Sequence, residues 1–177
     1  MQGQFQLFKM LAGICISLFI GMTHPVIASD NTDPELRAAR TAINEMEYAT
    51  AATKLVSYLN RHPEDHYALQ LLAKTYFWDN QFAAASKTYD KLLAMDPNNV
   101  EYVFAKARSL IWLNDIQQAI PLLEKAWSLQ NNNADILRNL ILSLKRSDKP
   151  EHLQRAKELS QVAIKQFPNM HWDLIVE

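Results

Sequence analysis

After residue 21 the 177-residue chain contains no glycine and no cysteine: Gly3, Gly13, Gly21 and Cys15 are the whole supply, and all fall in its opening stretch. Phosphate-cradling loops, dinucleotide turns and nucleophile elbows need glycine for positive φ or close backbone approach, so the remainder of the chain can build none of them. Disulfides, thiolate metal sites and cysteine nucleophiles are excluded there too. An excess of one charge is also missing. The 18 Lys and Arg stand against 19 Asp and Glu for a net charge of −1, which argues against nucleic acid or an acidic membrane face as partner. With 49% hydrophobic residues, stability has to come from packed apolar surface.

Residues 1–28 read as an export signal. Lys9 is the one charged side chain before a 13-residue apolar run, Met10 to Met22, and Val26-Ile27-Ala28 forms a small-residue cleavage pattern. The run stops at Thr23-His24-Pro25, short of the roughly 20 apolar residues a membrane span needs. Ile14 stands before Cys15 where a lipid-attachment motif would carry a small residue. The expected mature chain, Ser29 to Glu177, carries 17 basic and 19 acidic residues and no stable membrane span. Its expected location is the periplasm of a Gram-negative bacterium.

What fills the rest is a repeat. Pro63 and Pro97 lie 34 residues apart, the next period falls on Asn131 within Asn131-Asn132-Asn133, and a fourth unit closes at Pro168. Leu69, Leu72, Ala73 and Tyr76 sit at i, i+3, i+4 and i+7, the stripe of an amphipathic helix. A second helix follows with Phe82, Ala85, Tyr89, Leu92 and Leu93 inward. The next unit repeats the scheme with Val103, Ala107 and Leu110, then Ile116, Ala119, Leu123, Ala126 and Trp127. Ala51, Ala85, Ala119 and Ala156 mark the small position where two helices cross closely. Asp33 before Pro34 predicts an N-cap with proline at the first helical position. Asn80 and Asn114 suit a left-handed turn without glycine. Pro121 falls inside a second helix, where it removes one hydrogen bond.

This pattern resembles the tetratricopeptide repeat, a 34-residue helix-turn-helix, over essentially all of residues 32–168. The resemblance implies an all-α, right-handed α-solenoid of about four units near 32–65, 66–99, 100–133 and 134–170, within a domain spanning 29–168. Unit one departs from the pattern with an Ala-rich first helix, Pro34 to Met46. Unit four departs with three extra residues around Asp148-Lys149-Pro150. About three stacked repeats are needed for stability, and the surface lined by first helices is the one such proteins use.

On those first helices Arg40, Lys74 and Arg108 recur at intervals of 34, which aligns three cations along one track. Trp78 and Trp112 follow Lys74 and Arg108 by four residues, a spacing that predicts each cation over an indole. The resemblance places Tyr67, Gln70, Phe77, Phe104, Ile111 and Arg138 at or beside the groove. There an extended peptide or a partner helix would lie. The bland alternative is that Trp78 and Trp112 only cover the helix ends and the adjacent turns. Lys74 and Arg108 stand where the chaperone-binding members of the family carry Asn, so heat-shock chaperone tails are not the expected ligand.

Catalytic groupings are absent from the pattern. His62-Pro63-Glu64-Asp65-His66 holds two imidazoles and two carboxylates but lacks a metal-site spacing. It reads better as an inter-repeat turn whose acids favour the next helix start. His152 and His171 are isolated, so no enzyme activity, metal or cofactor is expected. The segments around Lys74-Thr75-Tyr76-Phe77-Trp78 and Arg108-Ser109-Leu110-Ile111-Trp112 also resemble repeats that precede outer-membrane β-barrels in envelope and exopolysaccharide-export proteins. The expected role is therefore a non-catalytic adaptor holding a protein partner in its groove, with acidic polysaccharide contact as the alternative. Residues 169–177, with Trp172, Leu174, Ile175 and Val176, are expected to fold back as a partial cap or to recruit a second copy or partner.

Overall fold

The computed structural model describes residues 33–147, 149–170 and 172, within the compact unit Asn31–Glu177. The expected export signal, its cleavage site and residues 173–177 lie outside the described residues. The described residues form eight helices and no strand: α1 (Pro34–Asn44), α2 (Tyr48–Arg61), α3 (His66–Trp78), α4 (Phe82–Met95), α5 (Val100–Trp112), α6 (Ile116–Leu129), α7 (Ala134–Lys145) and α8 (Pro150–Gln166). Each helix packs on the next in chain order, and α5 also touches α7. The result is the expected helical solenoid of four helix pairs.

Local chemistry sets the helix bounds. Asp33, Asp65, Asn99 and Asn133 cap the four first helices, each side chain accepting a backbone N–H of the opening turn; Asp33 Oδ1 takes Glu35 N at 2.8 Å and Asp65 Oδ1 takes Ala68 N at 2.9 Å. Satisfying such orphan donors is what makes these residue types N-caps. The first helices of units one to three end alike. Met46, Asn80 and Asn114 have φ of 60°, 59° and 60°, and the next N–H bonds back five residues, as in Gln81 N to Tyr76 O at 2.8 Å. This is the Schellman closure. The Asn residues were legible as left-handed, whereas Met46 takes the same conformation without the side chain that favours it, so α1 stops at Asn44 rather than reaching Met46.

Burial follows the predicted stripes. Leu69, Leu72 and Ala73 of α3, Ala85, Tyr89 and Leu92 of α4, and Val103, Ala107 and Leu110 of α5 are all buried, as are the four recurring alanines. The added length of unit four appears in its second helix. Pro150 occupies the first helical position, compatible with its missing N–H, and α8 runs 17 residues where α2, α4 and α6 run 14. Pro121 is accommodated on the exposed side of α6, which continues through it as one helix.

Candidate functional site: an aromatic and basic groove on the first helices

Neighbouring first helices α3 and α5, with α4 behind them, enclose a cleft of about 300 Å³ lined by Lys74, Phe77, Trp78, Tyr89, Glu101, Phe104, Ala105 and Arg108. Five residues expected from sequence thus meet at one place: Lys74, Phe77, Trp78, Phe104 and Arg108. The cations, however, do not sit on the indoles. Arg108 holds its guanidinium 4.9 Å from the Phe77 ring centroid and 5.9 Å from that of Phe104, while Lys74 Nζ bonds Glu101 Oε1 at 2.7 Å. The reason is that helical side chains lean toward the helix N-terminus. Arg108 therefore reaches back toward Phe104 instead of forward to Trp112, and Lys74 likewise turns away from Trp78.

The indoles instead pack on the first residue of a preceding second helix. Trp78 lies 5.8 Å from Tyr48, and Trp112 stacks on Phe82 at 5.4 Å with 10° between the planes. Phe77 meets Phe82 edge-on at 5.3 Å, so Arg108, Phe77, Phe82 and Trp112 form a continuous chain of contacts. Packing does not consume the indoles, since Trp78 is 48% and Trp112 64% exposed. The covering role and an available aromatic face coexist.

The remaining candidates separate. Arg40 lies with Arg37, Thr41 and Asn44 around a shallow depression on α1. Tyr67 is half-buried against the core that links α1 to α5, and Ile111 against the core that links α5 to α8. Gln70 is half-buried on α3. Arg138 pairs with Asp135 at 3.6 Å and lies 5.7 Å from the Trp172 ring. Trp172 itself is 3% exposed, its Nε1 donating to Phe167 O at 2.9 Å. The cation track also ends early, because Leu142, exposed, holds the fourth position of the series Arg40, Lys74, Arg108.

Glu101 and Tyr89 were missed. The Lys74–Glu101 pair joins two repeats, so no local periodicity announces it. Burial, reinforced by the charge of Glu101 and opposed by that of Arg108, pushes the Tyr89 hydroxyl up to about 12, keeping a neutral donor at the cleft floor. Burial likewise raises Tyr102, with Glu101 and Asp96 adding to it; its hydroxyl lies 2.6 Å from His66 Nε2.

The histidine-rich turn is absorbed by packing. His62 stacks on Tyr58 at 4.6 Å, His66 engages Tyr102, and Asp65 both caps α3 and accepts the Tyr58 hydroxyl at 2.8 Å. Among the described residues no group of three or more His, Cys, Asp or Glu could hold a metal ion, and no helix is long and apolar enough to cross a membrane.

Stacked helix pairs of this geometry with an open cleft on their first helices define a helical-repeat protein of tetratricopeptide type. A family model described as anaphase-promoting complex, cyclosome, subunit 3 matches residues 44–137, just over half the chain, and the chain belongs to that family. The fold is similar to MamA of AMB-1, with TM-score 0.68 and 17% identity over 79% of this chain and 75% of that one. It is similar also to MamA from Desulfovibrio magneticus RS-1, with TM-score 0.61 and 17% identity over 73% and 75%. A third likeness is YrrB, described as a TPR protein with an unusual peptide-binding site, with TM-score 0.67 and 18% identity over 80% and 71%. No curated protein matches the sequence.

Proposed function

We propose that this chain is a non-catalytic adaptor, exported to the periplasm, that holds an extended peptide or helix of a protein partner in the α3–α5 cleft during assembly of an envelope or secretion complex. One observation carries the reading. Arg108, held between two aromatic rings, has no ion pair among the described residues, and beside it stand the exposed face of Trp78 and the Lys74–Glu101 pair. Desolvated aromatic and arginine anchors in a cleft are the usual hot spots of protein recognition. YrrB, similar in fold, is itself described as peptide-binding. The export half of the proposal rests on the pattern of residues 1–28.

A photoreactive amino acid at Trp78 tests the groove in cells. A discrete protein adduct, lost when Arg108→Glu and Phe104→Ala are added to a chain whose helicity and melting are intact, is the expected result. Equal crosslinking from Met95, on the second-helix side, would sink it. Amino-terminal sequencing of the extracted protein should begin at Ser29. The flat stacking of Trp112 on Phe82 supports a second reading, since it leaves the other indole face as a platform for a sugar ring. Retarded migration on an acidic-polysaccharide gel, abolished by Trp112→Ala, would favour that reading over the protein partner.

A further inference from the structure

The last helix pair leaves a seat open that the other pairs fill. In the three earlier units the first helix of the next unit packs on the second helix of the pair before it, giving the α2–α3, α4–α5 and α6–α7 contacts. In unit three Ile111, Ile116, Ala119, Ile120, Leu123 and Trp127 share one core with Leu137, Leu140, Ile141 and Leu144 of α7. One period onward, with the three extra residues counted on α8, Ile111 becomes Lys145, Ile116 becomes Leu153, Ile120 becomes Lys157, Leu123 becomes Ser160 and Trp127 becomes Ile164. These five residues line one surface groove of about 380 Å³. The seat persists at the end of the solenoid with its apolar ends kept and its middle turned polar and basic. Leu153 is 45% exposed and Ile164 51%.

Solubility of a terminal repeat explains polar residues there but not two bulky exposed apolar side chains spaced along one stripe. Their separation of 11 residues corresponds to about 16 Å along a helix, or three turns. Size and charge decide the occupant. By the same register a second copy docking head to tail would set Glu35, Ala38, Ala39 and Ala42 of its α1 where Leu137, Leu140, Ile141 and Leu144 fill the seat of unit three, a face with no bulky apolar side chain to meet Leu153 and Ile164. A two-fold α8–α8 pairing would set Lys157 against its own counterpart, like charges in contact. Lys157, exposed, has no hydrogen bond or ion pair among the described residues.

We infer that the α7–α8 groove is a docking site, separate from the α3–α5 cleft, for an amphipathic helix of a partner protein of at least three turns. Its apolar stripe meets Leu153 and Ile164, and an acidic side chain between them meets Lys157. Helix-in-groove recognition reads such anchors at helical spacing, and the chain's own α7 shows the mode in the equivalent seat of unit three.

The probe is a synthetic peptide of residues 133–146, the segment that fills that equivalent seat, with Arg138→Glu and Lys145→Glu, compared with the unaltered peptide. Fluorescence anisotropy with the full chain should show the acidic peptide binding, and Lys157→Glu should weaken it about tenfold, equivalent to about 1.4 kcal/mol, while strengthening the unaltered one. Leu153→Ser, at an exposed position and checked by circular dichroism melting, should weaken both. No binding by the acidic peptide, or binding indifferent to both substitutions, overturns the proposal. So does a dimer in light scattering that Leu153→Ser converts to monomer, because the occupant is then a second copy. Binding that appears only after removal of residues 173–177 overturns it equally, because the occupant is then the chain's own end. Since none of these variants touches the α3–α5 cleft, its crosslinking outcome is independent of this one.

Discussion

Met46 shows how a repeat can impose a conformation its local sequence does not favour. Its φ of 60° matches Asn80 and Asn114 one and two periods on, yet a left-handed backbone costs a non-glycine residue about 1–2 kcal/mol and Asn offsets part of that by local hydrogen bonding. Met46 is 74% exposed, so its side chain gains little in return. Met46→Asn should therefore raise stability by about 0.5–1 kcal/mol in urea denaturation, and an unchanged or lower midpoint would show that the turn does not hold this geometry. Thr75 is the opposite case. It is fully buried with no hydrogen-bond partner for Oγ1, whereas Ser109, one period on, donates to Ala105 O at 3.0 Å. Leaving a buried polar group unsatisfied costs about 1–3 kcal/mol, so Thr75→Val should stabilise while Ser109→Ala does not; equal shifts in melting would refute the distinction. Tyr89 sets an alkaline limit. Its hydroxyl ionises near 10 in the unfolded chain but at about 12 when folded, so the unfolded state releases its proton first. The contribution is complete below the unfolded value and is lost as pH rises through the folded one, by about 1.4 kcal/mol per unit. Tyr89→Phe, with no proton to release, should lose less stability between about pH 9 and pH 11 than the parent chain, as urea midpoints at the two values would show.

Helix existence and pairing were legible because they depend on short-range periodicity that the chain states several times over. The recurring alanines of the second helices are the clearest instance: Ala51, Ala85 and Ala119 are fully buried and Ala156 nearly so. Replacing Ala85 or Ala119 by Leu should overpack a crossing and cost about 1–3 kcal/mol, and a wild-type melt in both variants would place the crossings elsewhere. The less legible features are those that depend on direction or on a neighbouring element. Four-residue spacing put Arg108 beside Trp112 on the helix surface, but the tilt of the Cα–Cβ bond sends the guanidinium to Phe104 and, across the repeat boundary, to Phe77. Glu101 entered the groove as the partner of Lys74, a contact between repeats that spacing within either one does not reveal. The sequence places the extra residues of unit four around Asp148-Lys149-Pro150, whereas the added length falls within the second helix, since Pro150 opens α8 and α8 runs three residues longer than α2, α4 and α6.

At the scale of the molecule the apolar interior is a row of linked clusters: one runs from α1 to α5, another from α5 to α8, and Val103, Ala126 and Ile136 sit in a third on the α5, α6 and α7 elements common to the second. In such a row each unit is stabilised by its own packing plus that of its neighbours, so end units open before middle ones. Unit one is the weak end. Its first helix buries only Leu36, Ala39 and Ala42, and the ion pairs that tie its start to α2, Arg61 with Asp33 and with Glu35, share one exposed guanidinium and so add little. The α7 helix buries Ile136, Leu137, Leu140, Ile141 and Leu144. Native-state hydrogen exchange should accordingly give α1 and α2 a lower opening free energy than α5 to α7. Leu36→Ala, which removes a fully buried side chain at a cost of about 2–5 kcal/mol, should lower protection in the first pair while leaving α5 to α7 within error. Leu137→Ala, also fully buried, should lower protection on both sides of the middle, because α7 belongs to the cluster that reaches back to α5 and forward to α8. If Leu36→Ala instead lowers every amide by the same amount, the solenoid opens only as a whole, and its four pairs form a single cooperative unit despite the one-dimensional layout.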